Sequence, residues 1–353
     1  MSTANLDAAN LAAALAAPGL IREDVVDTVY NLDEGVPTPL YDLTAGGSFT
    51  NLYSEWTEDD LNDPDTDNAV VDGSDASGND TKLGLRIGNR AQLSDKVVRI
   101  SHAAEEVDSI GSVGRIAYQT SKRLMDLRRD IEAIACGRQA SVADDGNTTP
   151  GRTAGLGAWL ATNTSFGLGG SAGGFNTTTK IVAAPAEGDI RALVWADVRD
   201  QLLGIYEAGG AANNMIYAMS TPRVIRNIVS FLFSDDGAPF RATPTANVTA
   251  TEAQNQVAQG WIDVVLSDFG IKMRLIPNRL QQKYNAGTAT DLFLIDPAYF
   301  QIASLYGFRS DVLAKTGHAE NRLLSNHWMT KCFREDAHAM LADLDDTAPV
   351  TAS

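Results

Sequence analysis

"VGRIAYQTSKRLMDLRRDIEAIACGRQ", residues 113–139, is the stretch that decides the fold. Val113, Ala117, Thr120, Leu124, Leu127, Ile131 and Ile134 recur at alternating steps of four and three, which places them on one stripe of an α-helix. The opposite face is charged. Lys122 with Asp126, and Arg128 with Glu132, are four apart, and such pairs support a helix by about 0.3 kcal/mol each. The stripe matters more, because each large apolar side chain it buries is worth roughly 1.5–3 kcal/mol. Ser112 fits an N-cap and Gly137 a terminator. The predicted helix is about 24 residues, or about 36 Å, long, a spine against which other elements are laid.

The chain has 353 residues, 44% of them apolar, enough for one large domain or two to three smaller ones. A formal charge of −17 argues against a surface that grips nucleic acid, since phosphate binding uses clustered Lys and Arg. No run approaches the roughly 18 apolar residues of a membrane span, and the Ala-rich start lacks the basic region of a signal peptide. Cys136 and Cys332 belong to no C-x-x-C pattern, so they are read as reduced, structural thiols.

Either side of the spine the pattern is uneven. Residues 46–56, "GGSFTNLYSEW", alternate as a strand does, and residues 81–101 read as a returning strand pair or one long twisted strand. Between them residues 57–80 hold eight Asp and one Glu with no Lys or Arg, a polar tip with too little apolar surface to fold alone. Together they predict a long hairpin. A two-stranded hairpin is marginal in water, so it must lean on something, and no partner within the chain is evident. Residues 140–180 are dense in Gly, Thr, Ser and Asn and read as a long functional or mobile loop, with "LGAWLAT" a short helix or strand inside it. A mixed α/β region follows: a helix from Asp189 as its cap, the strand "NMIYAMS", and a helix with Thr221 as N-cap and Pro222 in its first turn. Next come a loop over residues 235–256, a hairpin turning at 268–270, and the buried strand "DLFLIDPAYF". The tail from Leu305 alternates as strands that return to the first domain.

Catalytic patterns fail in context. "GGSAG", residues 169–173, fits a nucleophile elbow on Ser171 but lacks the strand before it and the helix after it. "GLGGSA" lacks the setting of a dinucleotide loop. Asp63, Asp65 and Asp67 begin like a calcium loop, yet Asn68 and Ser74 stand where Gly and Glu are needed, so at most loose cation binding is allowed. His102, His318, His327 and His338 have no ligand spacing. No catalytic residue, cofactor or metal site is expected.

With the chemistry empty and the architecture unusual, the chain resembles the major capsid (major head) proteins of tailed bacteriophages and related viruses, built on the Hong Kong 97-type capsid fold. The resemblance is carried by "VPTPLYDLTAGGSFTNLYSEWTEDDL" from Val36, "GNRAQLSDKVVRIS" from Gly88, "DIEAIACGRQ", "TPRVIRNIVSFL", "SDFGIKMRLIPNR" from Ser267, and the closing "LAKTGHAENRLL" and "AHAML". It implies an α+β fold in four parts. These are an N-terminal arm at 1–45, an extended loop at 46–101 that reaches over a neighbouring subunit, a peripheral domain at 102–188 and 307–353 with its spine helix at 113–137, and an axial domain at 189–306. Loops near 235–259 would meet at the fivefold and sixfold axes.

The implied function is self-assembly as pentamers and hexamers into an icosahedral head enclosing viral double-stranded DNA, with no enzyme activity and no membrane partner. The implied location is the virion, assembled in the host cytoplasm. A separate scaffolding protein is expected, since only some 30 to 40 residues precede the extended loop, together with a portal and decoration proteins. The acidic charge suits a wall that does not adhere to packed DNA. Interface hot spots favour Trp, Tyr and Arg, so Tyr53, Trp56, Arg86 and Arg90 are the expected inter-subunit contacts. Two rivals predict different things: another self-assembling virion protein (tail tube or minor shell), or a soluble enzyme with a cryptic site in the Gly-rich loop 167–174.

Overall fold

The structure is a computed structural model that describes residues 37–73, 75, 81–107, 115–211, 214–233, 264–267, 270–315 and 317–347. Its helices are α1 (Pro39–Leu43), α2 (His102–Glu106), α3 (Ile116–Ala135), α4 (Leu156–Trp159), α5 (Trp195–Glu207) and α6 (Pro222–Phe233). The strands before α5 are β1 (Ala45–Ser48), β2 (Tyr53–Glu58), β3 (Leu85–Arg90), β4 (Gln92–Ser101), β5 (Thr164–Ser165), β6 (Gly174–Asn176) and β7 (Ile181–Ala183). After it come β8 (Met215–Ser220), β9 (Val264–Leu266), β10 (Lys272–Pro277), β11 (Lys283–Tyr284), β12 (Ala289–Ile295), β13 (Phe300–Val312), β14 (Ala319–Cys332) and β15 (Ala339–Asp345).

Strand β12, "ATDLFLI", is buried at every position, and its place explains why. It lies inside a sheet ordered β5-β15-β12-β8-β10-β9, with β11 also paired to it. Successive side chains point to opposite faces. Leu292 and Leu294, with Leu341 of β15 and Ala218 of β8, join a core built on Val198, Leu202 and Ile205 of α5 and Val224 and Ile228 of α6. Phe293 and Ile295, with Met340 and Met219, join a second core with Ile131 and Ala135 of α3, Trp159, and Phe300 and Trp328 of the other sheet. That other sheet is ordered β1-β13-β14-β4, and α3 packs on β4 and β14. A strand covered on both faces has no polar side to alternate, hence its continuous apolar run.

The spine helix starts at Ile116; Ser112 and Val113 lie outside the described residues, as do the N-terminal arm to residue 36 and the loop at 235–259. Leu127 and Ile131 are fully buried as the stripe requires. The charged face differs from expectation. Arg123, not Lys122, reaches Asp126, at 2.5 Å. Glu132 is buried and accepts the amides of Leu40 at 2.9 Å and Tyr41 at 2.8 Å and the Asn278 amide nitrogen at 2.9 Å. Burial raises its carboxyl pKa and these donors oppose the rise. A carboxylate at the free amides of a helix start is favourable, so Glu132 caps α1 across 92 residues of sequence. Arg128 goes to Asp42 of the same short helix and stacks on Tyr41 at 4.8 Å. A pair four apart is worth too little to compete with these tertiary partners.

Other expectations are redrawn. The strand expected over 46–56 is two strands: β1 pairs with β13, and β2 with β3. The returning stretch likewise divides, β3 closing the hairpin and β4 joining β14. Residues 140–180 are no open loop, because α4 is buried throughout and Trp159 is 2% exposed. Asp189 does not cap a helix. Arg191 bridges Leu344, which keeps the chain extended there, and α5 starts only at Trp195. Pro222 opens α6 as read, while the Thr221 hydroxyl donates to Asp346 at 2.5 Å. Of the closing strands, β14 pairs with β4, but β15 enters the sheet of β12. That sheet therefore takes β5 and β15 from outside residues 189–306. Cys136 and Cys332 are free, buried thiols.

His338, beside β15, accepts the Asp296 amide on Nδ1 at 3.1 Å and meets Phe300 edge-on. Burial lowers its pKa from 6.5 to about 4. Between these values the unfolded chain takes up a proton that the native chain refuses, so stability is present above pH 6.5 and lost as pH falls toward 4, by roughly 3 kcal/mol in full. Urea titrations between pH 6.5 and 5 are expected to show a shallower slope of stability with pH in His338→Gln than in the unaltered chain.

Candidate assembly surface

Between β2 and β3 the described residues 59–73, 75 and 81–84 belong to no strand, and Lys82 bridges Asp60 at 3.9 Å there. The register of the β2–β3 hairpin runs from Tyr53 opposite Arg90 to Glu58 opposite Leu85. Its root leans on its own chain. The Trp56 indole donates to the Cys332 carbonyl at 3.0 Å, and its ring lies 5.7 Å from Trp159 and 5.9 Å from Phe333. Glu55 bridges Arg86 at 2.5 Å on the paired strand and Lys180 at 3.3 Å on the turn before β7. Arg90 stacks on Tyr53 at 4.8 Å. The four expected contact residues thus lie on the two paired strands: Tyr53 and Arg90 hold each other, Arg86 holds Glu55, and Trp56 holds the body. Packing of this kind, against Trp159 a hundred residues away, leaves no local mark in sequence.

Behind Arg90, Asn89 is fully buried and donates to Thr153 Oγ1 at 3.0 Å and to the Thr330 carbonyl at 2.8 Å. This network sews β3 to β14. The Asn89 Oδ1 accepts the amides of Arg90 at 2.8 Å and Ala154 at 3.3 Å, so a side chain that both donates and accepts is needed there, since a buried polar group left unpaired costs about 1–3 kcal/mol.

At the outer end of β2, Glu58 faces Asp60 and, across the chain, Glu335 and Asp336. Burial first, then Asp336, Glu335 and Asp60, raises its pKa to about 7, against the opposing pull of Arg334. Its Oε1 is shut from solvent without a partner. The native chain therefore holds a proton here that the unfolded chain releases above pH 4.5, and stability falls as pH rises through 7. Glu58→Gln is expected to raise the melting temperature at pH 8 and to change it far less at pH 5, read by calorimetry at both.

Beyond Glu58 the described part of the tip is open. Leu61 is 94%, Val70 83% and Leu83 95% exposed. Of the Asp triplet, Asp65 accepts the Asp67 amide at 2.8 Å, a turn of the loop itself. Among the described residues no group of three or more metal-ligating side chains converges.

The Gly-rich loop 167–174 is a packing device. A Cβ on Gly167 would lie 1.8 Å from the Asp189 carbonyl, and one on Gly173 2.2 Å from that of Ala183. Ser171 bridges Ala186, and the short strand β6 follows where an elbow needs a helix.

Sequence reasoning missed a second anchor under this loop. Arg138, Asp291 and Asp343 are buried together. Arg138 Nε reaches Asp291 at 2.9 Å and its Nη2 reaches Asp343 at 2.9 Å, with Tyr284 stacked at 4.2 Å. Asp343 also accepts the amides of Gly167 at 3.1 Å and Gly188 at 3.0 Å.

Comparison with known proteins follows the same lines. The family model described as SU10 major capsid protein matches residues 2–345. The major capsid protein of Escherichia phage Phieco32 is 32% identical over 103 residues, a match spanning 29% of each chain. Among solved structures, the capsid of the native GTA particle aligns with a TM-score of 0.60 at 12% identity, over 93% of this chain and 97% of that one. The cyanophage A-1(L) capsid gives 0.57 at 16% identity, over 92% and 97%. The holo-SrpI encapsulin complex of Synechococcus elongatus gives 0.54 at 13%, over 94% and 96%. At these identities the structural likeness speaks for the fold.

Proposed function

Because this chain belongs to the SU10 major capsid protein family, we propose that its copies form pentamers and hexamers and close them into the icosahedral head of a phage around double-stranded DNA. The fold is the α+β, Hong Kong 97-type capsid fold, and the chain is a structural protein of the virion. The observation that carries the assembly reading is the hairpin, rooted in its own body by Trp56 and ending in large apolar side chains that are almost wholly exposed. Large apolar side chains left in water on one segment are what a partner's surface covers. On this reading residues 46–101 are the extended loop over a neighbouring subunit, α3 is the girder of a peripheral domain, and the sheet of β8, β10 and β12 belongs to an axial domain. Tyr53, Trp56, Arg86 and Arg90 act at the interface by fixing the angle at which the hairpin leaves the body. A separate scaffolding protein, a portal and decoration proteins complete the head, which is assembled in the host cytoplasm.

Electron microscopy of the purified chain, alone and with a co-expressed scaffold, tests this. Closed shells or five- and six-membered rings are expected. Small discrete particles under both conditions would return weight to a soluble enzyme.

A further inference from the structure

Trp56 and Glu58, two apart, lie on one face of β2. Trp56 sits on Cys332 and Phe333, and Glu58 faces the charges that follow them, Arg334, Glu335 and Asp336. Its Oε1 is shut from solvent without a partner, and the cations around it are already taken. From the body, Arg334 spends Nε and Nη2 on Asp336 at 2.7 and 3.2 Å, and Nη2 also on the Ala208 carbonyl. Glu335 accepts the Ala161 amide at 3.1 Å and the Thr162 hydroxyl at 2.9 Å. From the hairpin itself, Asp60 stands just past the strand and holds Lys82 at 3.9 Å, both well exposed. The buried Cys332 thiol is the remaining titratable neighbour. Four carboxylates, Glu58, Asp60, Glu335 and Asp336, therefore share two cations, Arg334 and Lys82. Glu55, on the other face of β2, has Arg86 and Lys180 to itself.

We propose that Glu58 is a proton-operated latch between the hairpin and its own body. Protonated, it lets the outer end of β2 sit on the turn Glu335–Ala337; ionised, it is repelled from Glu335 and Asp336 and lifts that end away. A carboxylate desolvated among like charges takes up a proton, in keeping with the raised value of about 7 at Glu58. When the hairpin lifts, the carboxyl regains water and its ordinary value near 4.5. Seating is thus strongest below pH 4.5 and is lost as pH rises through 7. The latch acts within one chain and does not depend on the shell reading.

Hydrogen exchange on the purified full chain, before assembly, tests it at pH 5.5 and 7.5, corrected for the intrinsic pH dependence of amide exchange. A lifted two-stranded ribbon is marginal, so its ladder amides report the lifting. From the lower to the higher pH, protection at residues 53–58 and 85–90 is expected to fall about 20-fold, while β12 and β15 change far less. In Glu58→Gln, which keeps the shape of the protonated acid, and in Glu58→Leu, uncharged and of similar volume, the fall is expected to shrink below about 3-fold. Unchanged protection at the hairpin of the unaltered chain overturns the latch. An equal loss at β12 overturns it too, because the whole chain then loosens, and a fall that persists in either variant assigns the proton to another group. Each of these failures leaves the shell reading standing, and an absence of shells leaves the latch standing.

Discussion

Replacing Arg138 with methionine is expected to cost about 3–5 kcal/mol of stability, because it strands two carboxylates in the interior. Asp291 and Asp343 are both fully buried, and burial already pushes the Asp291 pKa up while Arg138 pulls it back. The geometry that gathers them is a β-bulge. The β12–β15 register slips between Thr290 and Leu292, Asp343 takes a φ of +59°, and both carboxylates meet the guanidinium just past the end of α3. Aspartate tolerates that backbone conformation better than most residues. The cluster ties together the spine, the sheet and the Gly167 loop. Urea unfolding of Arg138→Met measures the cost, and Arg138→Met/Asp291→Leu/Asp343→Asn is expected to recover most of it, because an apolar replacement of a buried ion cluster restores a satisfied interior. A single-variant cost below about 1 kcal/mol would show that the two carboxylates find other partners.

How much of this was legible depends on where each interaction lies along the chain. Leu127 and Ile131 announce the spine because helical periodicity is local, and the run "DLFLI" announces a buried strand for the same reason. Glu132 misleads by the same logic: Arg128 stands four residues before it at ion-pair spacing, while its actual partners are amides at Leu40 and Tyr41. The Gly-rich stretch looked like open loop because glycine marks both mobile chain and close backbone approach, and only the distances at Gly167 and Gly173 tell the two apart. The hairpin was legible as alternation, yet its break between Ser48 and Tyr53 was not, because β1 and β2 answer to different sheets. Its root was invisible. Nothing near Trp56 in sequence points to Trp159, Phe333 or the Cys332 carbonyl.

That root carries the second large effect. Trp56→Ala removes a ring packed on Trp159 and Phe333 and the indole hydrogen bond to Cys332. Full burial of such a side chain would put the loss at about 3–5 kcal/mol; Trp56 is only partly buried, so roughly 2–3 kcal/mol is expected, concentrated on the hairpin. The strands β2 and β3 still pair with each other, but a two-stranded ribbon without a supporting face is marginal, and its amides should lose protection from hydrogen exchange while β12 and β15 keep theirs. Trp56→Phe keeps most of the apolar contact and forfeits the hydrogen bond, about 1 kcal/mol. Shells from Trp56→Ala should be scarce or irregular under conditions where Trp56→Phe still closes them, because a tip whose root swings meets its neighbour at no fixed angle. Regular shells from Trp56→Ala, with exchange at residues 53–58 and 85–90 unchanged, would mean that Glu55, Asn89 and the register of β3 suffice to aim the hairpin, and that the tryptophan only fills space.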